Sequence, residues 1–237
     1  MTRPVRLVWL YARDMNVYGD RGNVLTLARR LEWHGYPVTV TEYNPGDPFP
    51  DDADLLVGGG GQDSGQDRIH ADLHALGPRL AELVEGGTPM LMICGMYQLF
   101  GRFFRTGEGQ VIEGLGLLDL ETHAGPKRLI GNVVVRHPDL GDVVGYENHS
   151  GQTFLGDGVR PFATVVRGAG NNGRDGTEGA VHRNVIGSYL HGPLLPKNPA
   201  VADLLIARAV HRDLEPLAMT ADHFAALSRR VAMRRPR

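Results

Sequence analysis

The sequence predicts an α/β fold: a mainly parallel sheet flanked by helices, with an antiparallel extension in the C-terminal half. In the N-terminal part, short apolar segments alternate with segments of helical spacing in the order β-α-β-α-β-α, which is typical of a parallel sheet covered on both faces. After about Val111 the pattern changes to short strand-like segments separated by Gly, Asn and Asp turns, which indicates antiparallel pairing. Ligands of open parallel sheets gather at the carboxyl ends of the strands, so we expect the functional residues there.

The first strand is predicted at residues 5–11, where a nearly continuous apolar run indicates burial on both faces. A helix follows, with Asn23 as its N-cap, Val24, Leu27 and Leu31 on one face, and Gly35 just past its end. The other N-terminal elements are predicted as strands at residues 37–43, 55–57 and 89–93 and as helices at residues 69–76, 78–85 and 96–104.

The C-terminal half is predicted to contain more strands and two terminal helices. The strands are expected at residues 132–136, 142–146, 162–167 and 179–189, and the helices at residues 199–210 and 221–232. The arginine-rich end, residues 233–237, is expected to be a flexible basic tail. Because no internal repeat or long linker interrupts the pattern, we predict a single domain over residues 1–237.

Composition excludes several classes of function. The net charge is −2, from 25 basic and 27 acidic side chains, so it gives no sign of a nucleic acid or an acidic membrane as partner. Cys94 is the only cysteine, which excludes an intrachain disulfide and a cysteine-rich zinc site and predicts a reducing, cytoplasmic location. The apolar run at residues 7–12 is too short to span a bilayer. No cluster of His, Asp and Glu has the spacing of a metal site.

Cys94 is the strongest candidate for a catalytic residue. It follows a buried strand and precedes a predicted helix, with Gly95 between them. At such a turn a thiol is exposed at the top of the sheet, the helix N-terminus lowers its pKa, and the next N–H can bind an oxyanion. We expect a positive φ at Gly95, which a glycine adopts without steric cost. The alternative is that Cys94 is a small buried apolar residue.

A thiol nucleophile needs a base, and the chain has ten histidines. His191 ends a predicted strand and is followed by Gly192 and Pro193, which places it at the same edge of the sheet as Cys94. His123, His149 and His182 remain open as further candidates.

Two glycine-rich segments differ in what they predict. Residues 58–61 are four glycines after a strand, and their N–H groups can face an anion or an oxyanion. No Gly-Lys-Ser/Thr follows, so the segment is not a phosphate-binding P-loop. Residues 168–173 match G-x-G-x-x-G, but no strand-helix-strand unit surrounds them, so we predict a flexible loop rather than a dinucleotide site.

These motifs together resemble the class I glutamine amidotransferases, and within them the cobyric-acid-synthase-like branch. The chain is further similar to the glutaminase subunits of lipid II isoglutaminyl synthases, over essentially its whole length. The resemblance implies a flavodoxin-like sheet and hydrolysis of glutamine through a glutamyl thioester. The segments that carry it are residues 18–23 (YGDRGN), 58–63 (GGGGQD), 93–98 (ICGMYQ), 145–149 (GYENH) and 189–193 (YLHGP).

The resemblance also implies roles for single residues. The implied set is Cys94 as nucleophile, His191 as base, the N–H groups of Gly95 and of Gly60 or Gly61 as oxyanion hole, Arg128 as a ligand of glutamine, and Gln98 as a supporting residue. Many class I domains have an acid two residues after the histidine, whereas here Gly192 and Pro193 follow it. A dyad is therefore implied, or a third member from elsewhere such as Asp20 or Glu147.

The same resemblance implies a partner, because a glutaminase fold of this length leaves no room for an ATP-dependent ligase. The implied partner is a Mur-ligase-like subunit in a heterodimer, which uses ATP and Mg²⁺ to activate the D-glutamate α-carboxylate of lipid II and receives ammonia. This chain would hold no cofactor. Three alternatives stay open: ammonia supply to another acceptor such as a corrinoid acid, a Cys/His hydrolase of amides other than glutamine, and a binding subunit without catalysis.

Overall fold

The computed structural model describes residues 3–61 and 63–236, and it contains two sheets and six helices in that part of the chain. Gln62 of the glycine-rich motif and Arg237 of the predicted tail lie outside the described residues. The strands are β1 (Val5–Leu10), β2 (Val38–Tyr43), β3 (Leu55–Gly58), β4 (Met90–Ile93), β5 (Phe103–Arg105), β6 (Val111–Glu113), β7 (Leu120–His137), β8 (Gly141–Leu155), β9 (Ala163–Arg167), β10 (Thr177–Glu178), β11 (Ala180–His182) and β12 (Val185–Ser188). The helices are α1 (Arg21–Trp33), α2 (Asp63–Glu85), α3 (Gly95–Phe100), α4 (Leu194–Lys197), α5 (Pro199–Val210) and α6 (Thr220–Arg234).

The first sheet has the order β11-β12-β4-β3-β1-β2, and only β11 is antiparallel to its neighbour. The predicted mainly parallel sheet is therefore confirmed. In its register, Gly58 lies beside Met92 and Ile93 lies beside Ser188. Strands β3, β4 and β12 consequently end side by side. The glycine-rich turn, Cys94 and the segment before His191 meet at this edge.

The second sheet confirms the predicted antiparallel extension. Its centre is a long antiparallel hairpin of β7 and β8. β7 also lies in the middle of the strand order β10-β9-β7-β5-β6, in which only the β5–β7 pair is parallel. The hairpin register shifts between Ala124, which lies opposite Gly151, and Leu129, which lies opposite His149. Residues 125–128 form the bulge between these two pairs, so the sheet presents Arg128 from a bend rather than from a regular ladder.

The predicted helix boundaries were wrong in three places. α1 begins at Arg21, so Asn23 is no N-cap but a buried residue inside the helix, whose Oδ1 accepts the N–H of Leu195 at 2.9 Å. α2 continues through Pro78, because buried residues before and after the proline, Leu73 and Leu80, lie on the same face. α3 ends at Phe100, and β5 follows where the helix was expected to continue.

The predicted strands and tail also differ from the structure in extent. The segment at residues 179–189 is two antiparallel strands, β11 and β12, instead of one. The strands expected at residues 132–136 and 142–146 are the central parts of the longer β7 and β8. α6 extends through Arg234, so the first two residues of the predicted tail are helical, and the carbonyl of Pro236 accepts a hydrogen bond from Asn132 at 2.7 Å.

Candidate active site

Cys94 occupies a strained turn between β4 and α3. Its backbone has φ 52° and ψ −102°, a conformation that costs a residue with a side chain about 1–3 kcal/mol and is common at functional sites. Its N–H donates to the carbonyl of Ser188 at 2.9 Å, which ties the turn to the neighbouring strand β12. Cys94 is only 6% exposed, so the predicted exposure of its thiol at the top of the sheet was wrong: the residue is buried at the end of the sheet, where it lines a cavity. This is the geometry of a nucleophile elbow.

Gly95 is required by close packing, and the expected positive φ at this position was wrong. The positive φ belongs to Cys94, the residue before it. A Cβ at Gly95 would lie 2.8 Å from Cε of Met15 and 2.9 Å from Nε2 of Gln66. A side chain here would therefore displace groups that form the wall of the site.

Gly60 lies between the two predicted catalytic side chains. A Cβ at this position would be 2.9 Å from Cε1 of His191 and 3.3 Å from Cβ of Cys94, so both side chains converge on the same glycine. The N–H of Gly60 donates to Oδ2 of Asp20 at 2.8 Å and is therefore not open to a substrate. Among the described residues, no group accepts the N–H of Gly61 or Gly95. These two donors are therefore open in the described structure.

Asp20 holds the glycine-rich turn from below. Its carboxylate is fully buried, and burial raises its pKa to about 6, against the lowering effect of the Gly60 N–H. Asp20 is the residue just before α1, but its side chain bonds to the glycine-rich turn and does not cap the helix. Its contact with Gly60 makes Asp20 a supporting residue of the turn.

His191 is brought to Cys94 by a bridge between the two sheets. Its N–H and carbonyl pair with Tyr146 of β8, at 2.8 and 3.3 Å. The ring packs against Tyr18 with centroids 4.4 Å apart, and neither ring nitrogen has a hydrogen-bond partner in the described structure. Burial, followed by the nearby His149 and Arg128, lowers its pKa to about 3. The imidazole is therefore neutral at neutral pH and able to accept a proton.

A cavity of about 410 Å³ opens above Cys94. The parallel sheet contributes Cys94 and Gly61, and the hairpin contributes Arg128, Asn148 and His149. Arg128 lies at the rim, where its Nε donates to Oδ1 of Asn148 at 2.6 Å and its Nη2 approaches the hydroxyl of Tyr18 at 3.3 Å. The guanidinium is thus oriented toward the cavity while it keeps donors for a ligand.

His149 is the one of the three further candidate histidines that lines this cavity. Its ring stacks on Tyr189 with centroids 3.6 Å apart, and its Nδ1 lies 2.6 Å from the carbonyl of Gly151. Because a carbonyl can only accept, Nδ1 carries the hydrogen and the buried, unpartnered Nε2 is an acceptor. Burial lowers the pKa of His149 to about 4, so this neutral tautomer persists at neutral pH.

Gln66 and Gln98 form a buried chain under the cavity. Nε2 of Gln66 donates to Oε1 of Gln98 at 3.2 Å, and Nε2 of Gln98 donates to the hydroxyl of Tyr189 at 3.1 Å. Tyr189 in turn lies 2.7 Å from Thr153. Oε1 of Gln66 is buried and has no hydrogen-bond partner in the described structure, and Gln66 is among the residues that line the cavity. Sequence reasoning did not single out Gln66, whose position depends on packing between α2 and α3.

Glu147 is also a supporting residue in this structure. Its buried carboxylate accepts the N–H groups of Ala169 and Gly170 at 2.9 to 3.1 Å, and it does not hydrogen-bond to His191. The glycine-rich segment 168–173 was expected to be flexible, but its residues 169–172 are buried and held by these bonds. Glu178, which sequence reasoning missed, accepts the hydroxyl of Ser188 at 2.6 Å under the same edge; burial raises its pKa to about 7.

The remaining histidine candidates lie elsewhere. His123 contacts Glu121 at 3.1 Å, and His182 contacts the carbonyl of Gly158 at 3.2 Å. Within residues 3–61 and 63–236, no group of three His, Cys, Asp or Glu side chains is arranged to hold a metal ion. None of the described helices is long and apolar enough to cross a membrane.

The chain is similar to two proteins that are named as subunits of the same synthase. The chain is 38% identical over 199 residues to the lipid II isoglutaminyl synthase (glutamine-hydrolyzing) subunit GatD of Staphylococcus aureus, a match that covers 84% of this chain and 81% of the relative. It is 37% identical over 211 residues to the subunit of the same name from Streptococcus pneumoniae, covering 88% of this chain and 81% of the relative.

The fold is shared with solved structures at much lower identity. One crystal structure of a glutamine amidotransferase matches with a TM-score of 0.59 at 16% identity, covering 86% of this chain and 98% of that chain. The model of the CobB/CobQ-like glutamine amidotransferase domain matches residues 6–199. That range includes Cys94, His191 and every residue of the cavity. The chain belongs to the CobB/CobQ-like glutamine amidotransferase domain family.

Proposed function

We propose that this chain is a glutaminase subunit that hydrolyses L-glutamine through a thioester on Cys94 and supplies ammonia to an ATP-dependent partner. The product of the complex would be lipid II in which the α-carboxylate of D-glutamate is amidated to D-isoglutamine, a step of peptidoglycan synthesis. The relatives named as GatD subunits support this assignment, because they match over most of both chains.

One observation carries the proposal: the polar groups of the cavity complement the two ends of glutamine. The Arg128 guanidinium at the rim can pair with an α-carboxylate. Nε2 of His149 and Oε1 of Gln66 are buried acceptors without a partner on two residues that line the cavity, and they would receive the α-ammonium group. Cys94 lies at the base, where the side-chain carboxamide would reach it. A free α-amino acid with a carboxamide would satisfy all of these groups together.

In the first half of the reaction, His191 accepts the proton of the Cys94 thiol and Sγ attacks the carboxamide carbon. The new C–S bond places negative charge on the carbonyl oxygen, and the N–H groups of Gly61 and Gly95 are the open donors for it. One such donor is worth roughly 3–4 kcal/mol in acyl transfer. The C–N bond then breaks, His191 gives its proton to the departing nitrogen, and ammonia leaves a thioester behind.

In the second half, His191 accepts a proton from water, and the water oxygen attacks the thioester carbon. The C–S bond breaks, the sulfur recovers the proton from His191, and glutamate is released. The balance is one glutamine and one water for one glutamate and one ammonia. His191 starts and ends neutral, as its lowered pKa requires. Asp20 and Glu147 contribute by fixing the surrounding backbone.

The partner would supply the synthetase chemistry. A Mur-ligase-like subunit would bind ATP and Mg²⁺, activate the acceptor carboxylate and receive the ammonia, while this chain would need no cofactor. The two chains would form a heterodimer in the cytoplasm. The name of the GatD relatives, which calls each a subunit of a synthase, supports a partner of this kind.

The test is glutamate release from L-glutamine by the purified chain, alone and with the ATP-dependent protein that co-purifies with it. We expect release that the Cys94→Ser variant lacks, and glutamine-dependent amidation of lipid II by the complex. Ammonium chloride should restore amidation in the Cys94→Ser complex, because the partner remains intact. Absence of release in the presence of the partner, ATP and Mg²⁺ would contradict the proposal.

A second candidate is ammonia supply to a corrinoid acid. It is favoured by the family model, which is named for CobB/CobQ-like proteins. The co-purifying ATP-dependent protein distinguishes the two functions: an unrelated synthetase that amidates a corrinoid acid and leaves lipid II unchanged would favour this second function.

A further inference from the structure

α6 has an inner face that is fixed to the rest of the domain. Asp222 receives a hydrogen bond from Arg30 at 2.5 Å, Ala225 is buried, and the carbonyl of Ala232 accepts from Arg167 at 3.3 Å. These contacts set the rotation of the helix about its own axis. The opposite face is therefore held outward along the whole helix.

The outward face of α6 is apolar along its centre. Phe224 is 61% exposed, Leu227 37% and Val231 54%. Their spacing of three and four residues aligns them in one stripe. A surface helix ordinarily turns its apolar stripe toward the core, and here the inner face is built around alanines instead. The apolar surface continues on α1, where Leu25 and Trp33 are also exposed and border a groove of about 250 Å³ against α6.

Arginines border the outer side of the stripe on α6. On the groove side, Asp222 is 24% exposed and paired with Arg30, and on α1 the exposed Glu32 is paired with Arg29. Arg230 and Arg234 are exposed, lie one turn apart and form no ion pair in the described structure. The last nine residues hold five arginines and no acidic residue, so the preceding 228 residues carry 20 basic and 27 acidic side chains, a net charge of −7. The overall charge of −2 thus conceals a strongly basic end on an acidic body. Asp222, the one acid of α6, faces inward.

We propose that the outward face of α6 docks on an anionic lipid bilayer. An apolar stripe with arginines beside it is the pattern of helices that lie in the membrane interface, where the apolar side chains enter the acyl boundary and the guanidinium groups reach the headgroups. The acids at this surface, Glu32 and Asp222, are each paired with an arginine. The unpaired charges beside the stripe are therefore basic, and they match a continuous anionic surface. If the proposed substrate is lipid-linked, the docking would hold the subunit beside it.

Sedimentation with vesicles tests the docking directly. We expect the full chain to sediment with phosphatidylglycerol vesicles at low salt, to remain in solution with phosphatidylcholine vesicles, and to be released by about 0.5 M salt, since screening shortens the reach of the charges. Replacing both Phe224 and Leu227 with Ser should weaken the binding about tenfold or more, because their apolar area no longer enters the bilayer.

Matched variants separate the stripe from general surface effects. Val231→Ser should weaken binding whereas Val166→Ser should not, although the two valines are 54% and 55% exposed. The double variant Arg230→Gln/Arg234→Gln should bind vesicles more weakly, and its binding should depend less on salt. The control is the double variant Arg174→Gln/Arg212→Gln, which changes two exposed arginines outside α6 and should have a much smaller effect. Thermal unfolding of all these variants should remain as in the wild type, because each side chain is at the surface.

Three results would overturn the proposal. The first is a wild-type chain that stays in solution with pure phosphatidylglycerol vesicles at low salt. The second is vesicle binding that the stripe variants leave unchanged. The third is that the stripe variants change the mass of the chain in solution, or its recovery with the ATP-dependent protein, while vesicle binding persists; the stripe would then be a protein interface. Vesicle binding needs neither Cys94 nor glutamine, so its failure leaves the glutaminase proposal untouched.

Discussion

The parallel sheet and the antiparallel hairpin contribute different things to the same cavity. The sheet presents Cys94 on a strained backbone and the open N–H groups of Gly61 and Gly95. The β7–β8 hairpin presents Arg128 from its bulge and the acceptor nitrogen of His149. The first set is fixed by strand ends and turns, and it suits bond making. The second set consists of side chains with polar groups directed at a ligand, and it suits recognition.

The two regions should therefore respond differently to substitution. Changes at the sheet edge should lower kcat, since they remove groups that act on the reacting atoms. Changes in the hairpin should act on KM and on the choice of substrate. In the proposed mechanism His191 acts with the first set, although its backbone is paired to Tyr146 of the hairpin.

The largest effect is expected for His191→Asn. Without a base the thiol of Cys94 is not activated, and kcat for glutamate release should fall by about 10⁴-fold or more, as when nucleophile and base act as a unit. Steady-state kinetics on the variant, with circular dichroism to verify its fold, make the measurement. A loss below tenfold would remove His191 from the mechanism.

Arg128→Ala should raise KM for L-glutamine by about tenfold or more and change kcat much less, because it removes a charged contact to the α-carboxylate. The neighbouring exposed residue offers a matched control: Lys127→Ala should leave both constants close to wild type. Equal effects of the two substitutions, or a change confined to kcat, would contradict the role of the hairpin in recognition.

His149→Phe tests recognition of the α-ammonium group. Phenylalanine can keep the stack on Tyr189, now 3.6 Å between centroids, but it lacks the acceptor Nε2. We expect kcat/KM for L-glutamine to fall about tenfold while that for its deamino analogue, 4-carbamoylbutanoate, changes little. The ratio of the two kcat/KM values is the measurement. An unchanged ratio would show that His149 does not read the amino group.

The smallest effect concerns stability at acidic pH. The pKa of His191 is about 3 in the fold and about 6.5 in an unfolded chain, so between these values only the unfolded chain binds the proton. Its contribution to stability is therefore lost as pH falls below about 6.5. Between pH 6.5 and 5 this amounts to roughly 1–2 kcal/mol.

The His191→Asn variant cannot titrate and should lose correspondingly less free energy of unfolding over this interval. Asp20 and Glu178, whose pKa values burial raises, act in the opposite direction but are the same in both proteins. Urea unfolding at the two pH values measures the difference. If wild type and variant lose equal free energy of unfolding between the two pH values, His191 is not buried without a hydrogen-bond partner.

Local sequence patterns were sufficient to predict which residues meet at the edge of the parallel sheet. Cys94 and His191 each follow a buried strand, and the rule that parallel strands end at one edge brings them together, as the structure does. The hairpin residues could not be found in this way. His149 has a free acceptor nitrogen because its other ring nitrogen bonds the carbonyl of Gly151, and Gln66 has a free acceptor oxygen because its amide nitrogen bonds Gln98. Sequence periodicity does not reveal either contact.

Three of the errors in the sequence-based prediction have one physical cause. Tertiary packing overrode local signals where a glycine, a cap or a proline suggested a boundary. Gly95 was expected to adopt a positive φ but is a glycine because Met15 and Gln66 leave no room. Asn23 has the chemistry of an N-cap and is instead buried against Leu195. Pro78 lies within α2 because the residues around it share a buried face.

The most direct test of the central claim is covalent trapping. A diazoketone analogue of L-glutamine should alkylate the chain once, at Cys94, as shown by intact mass and by peptide mapping. Excess L-glutamine should protect Cys94, the deamino analogue of glutamine should protect it poorly, and Cys94→Ser should not react. Labelling that L-glutamine does not slow, or that falls elsewhere in the chain, would contradict a glutamine site built over Cys94.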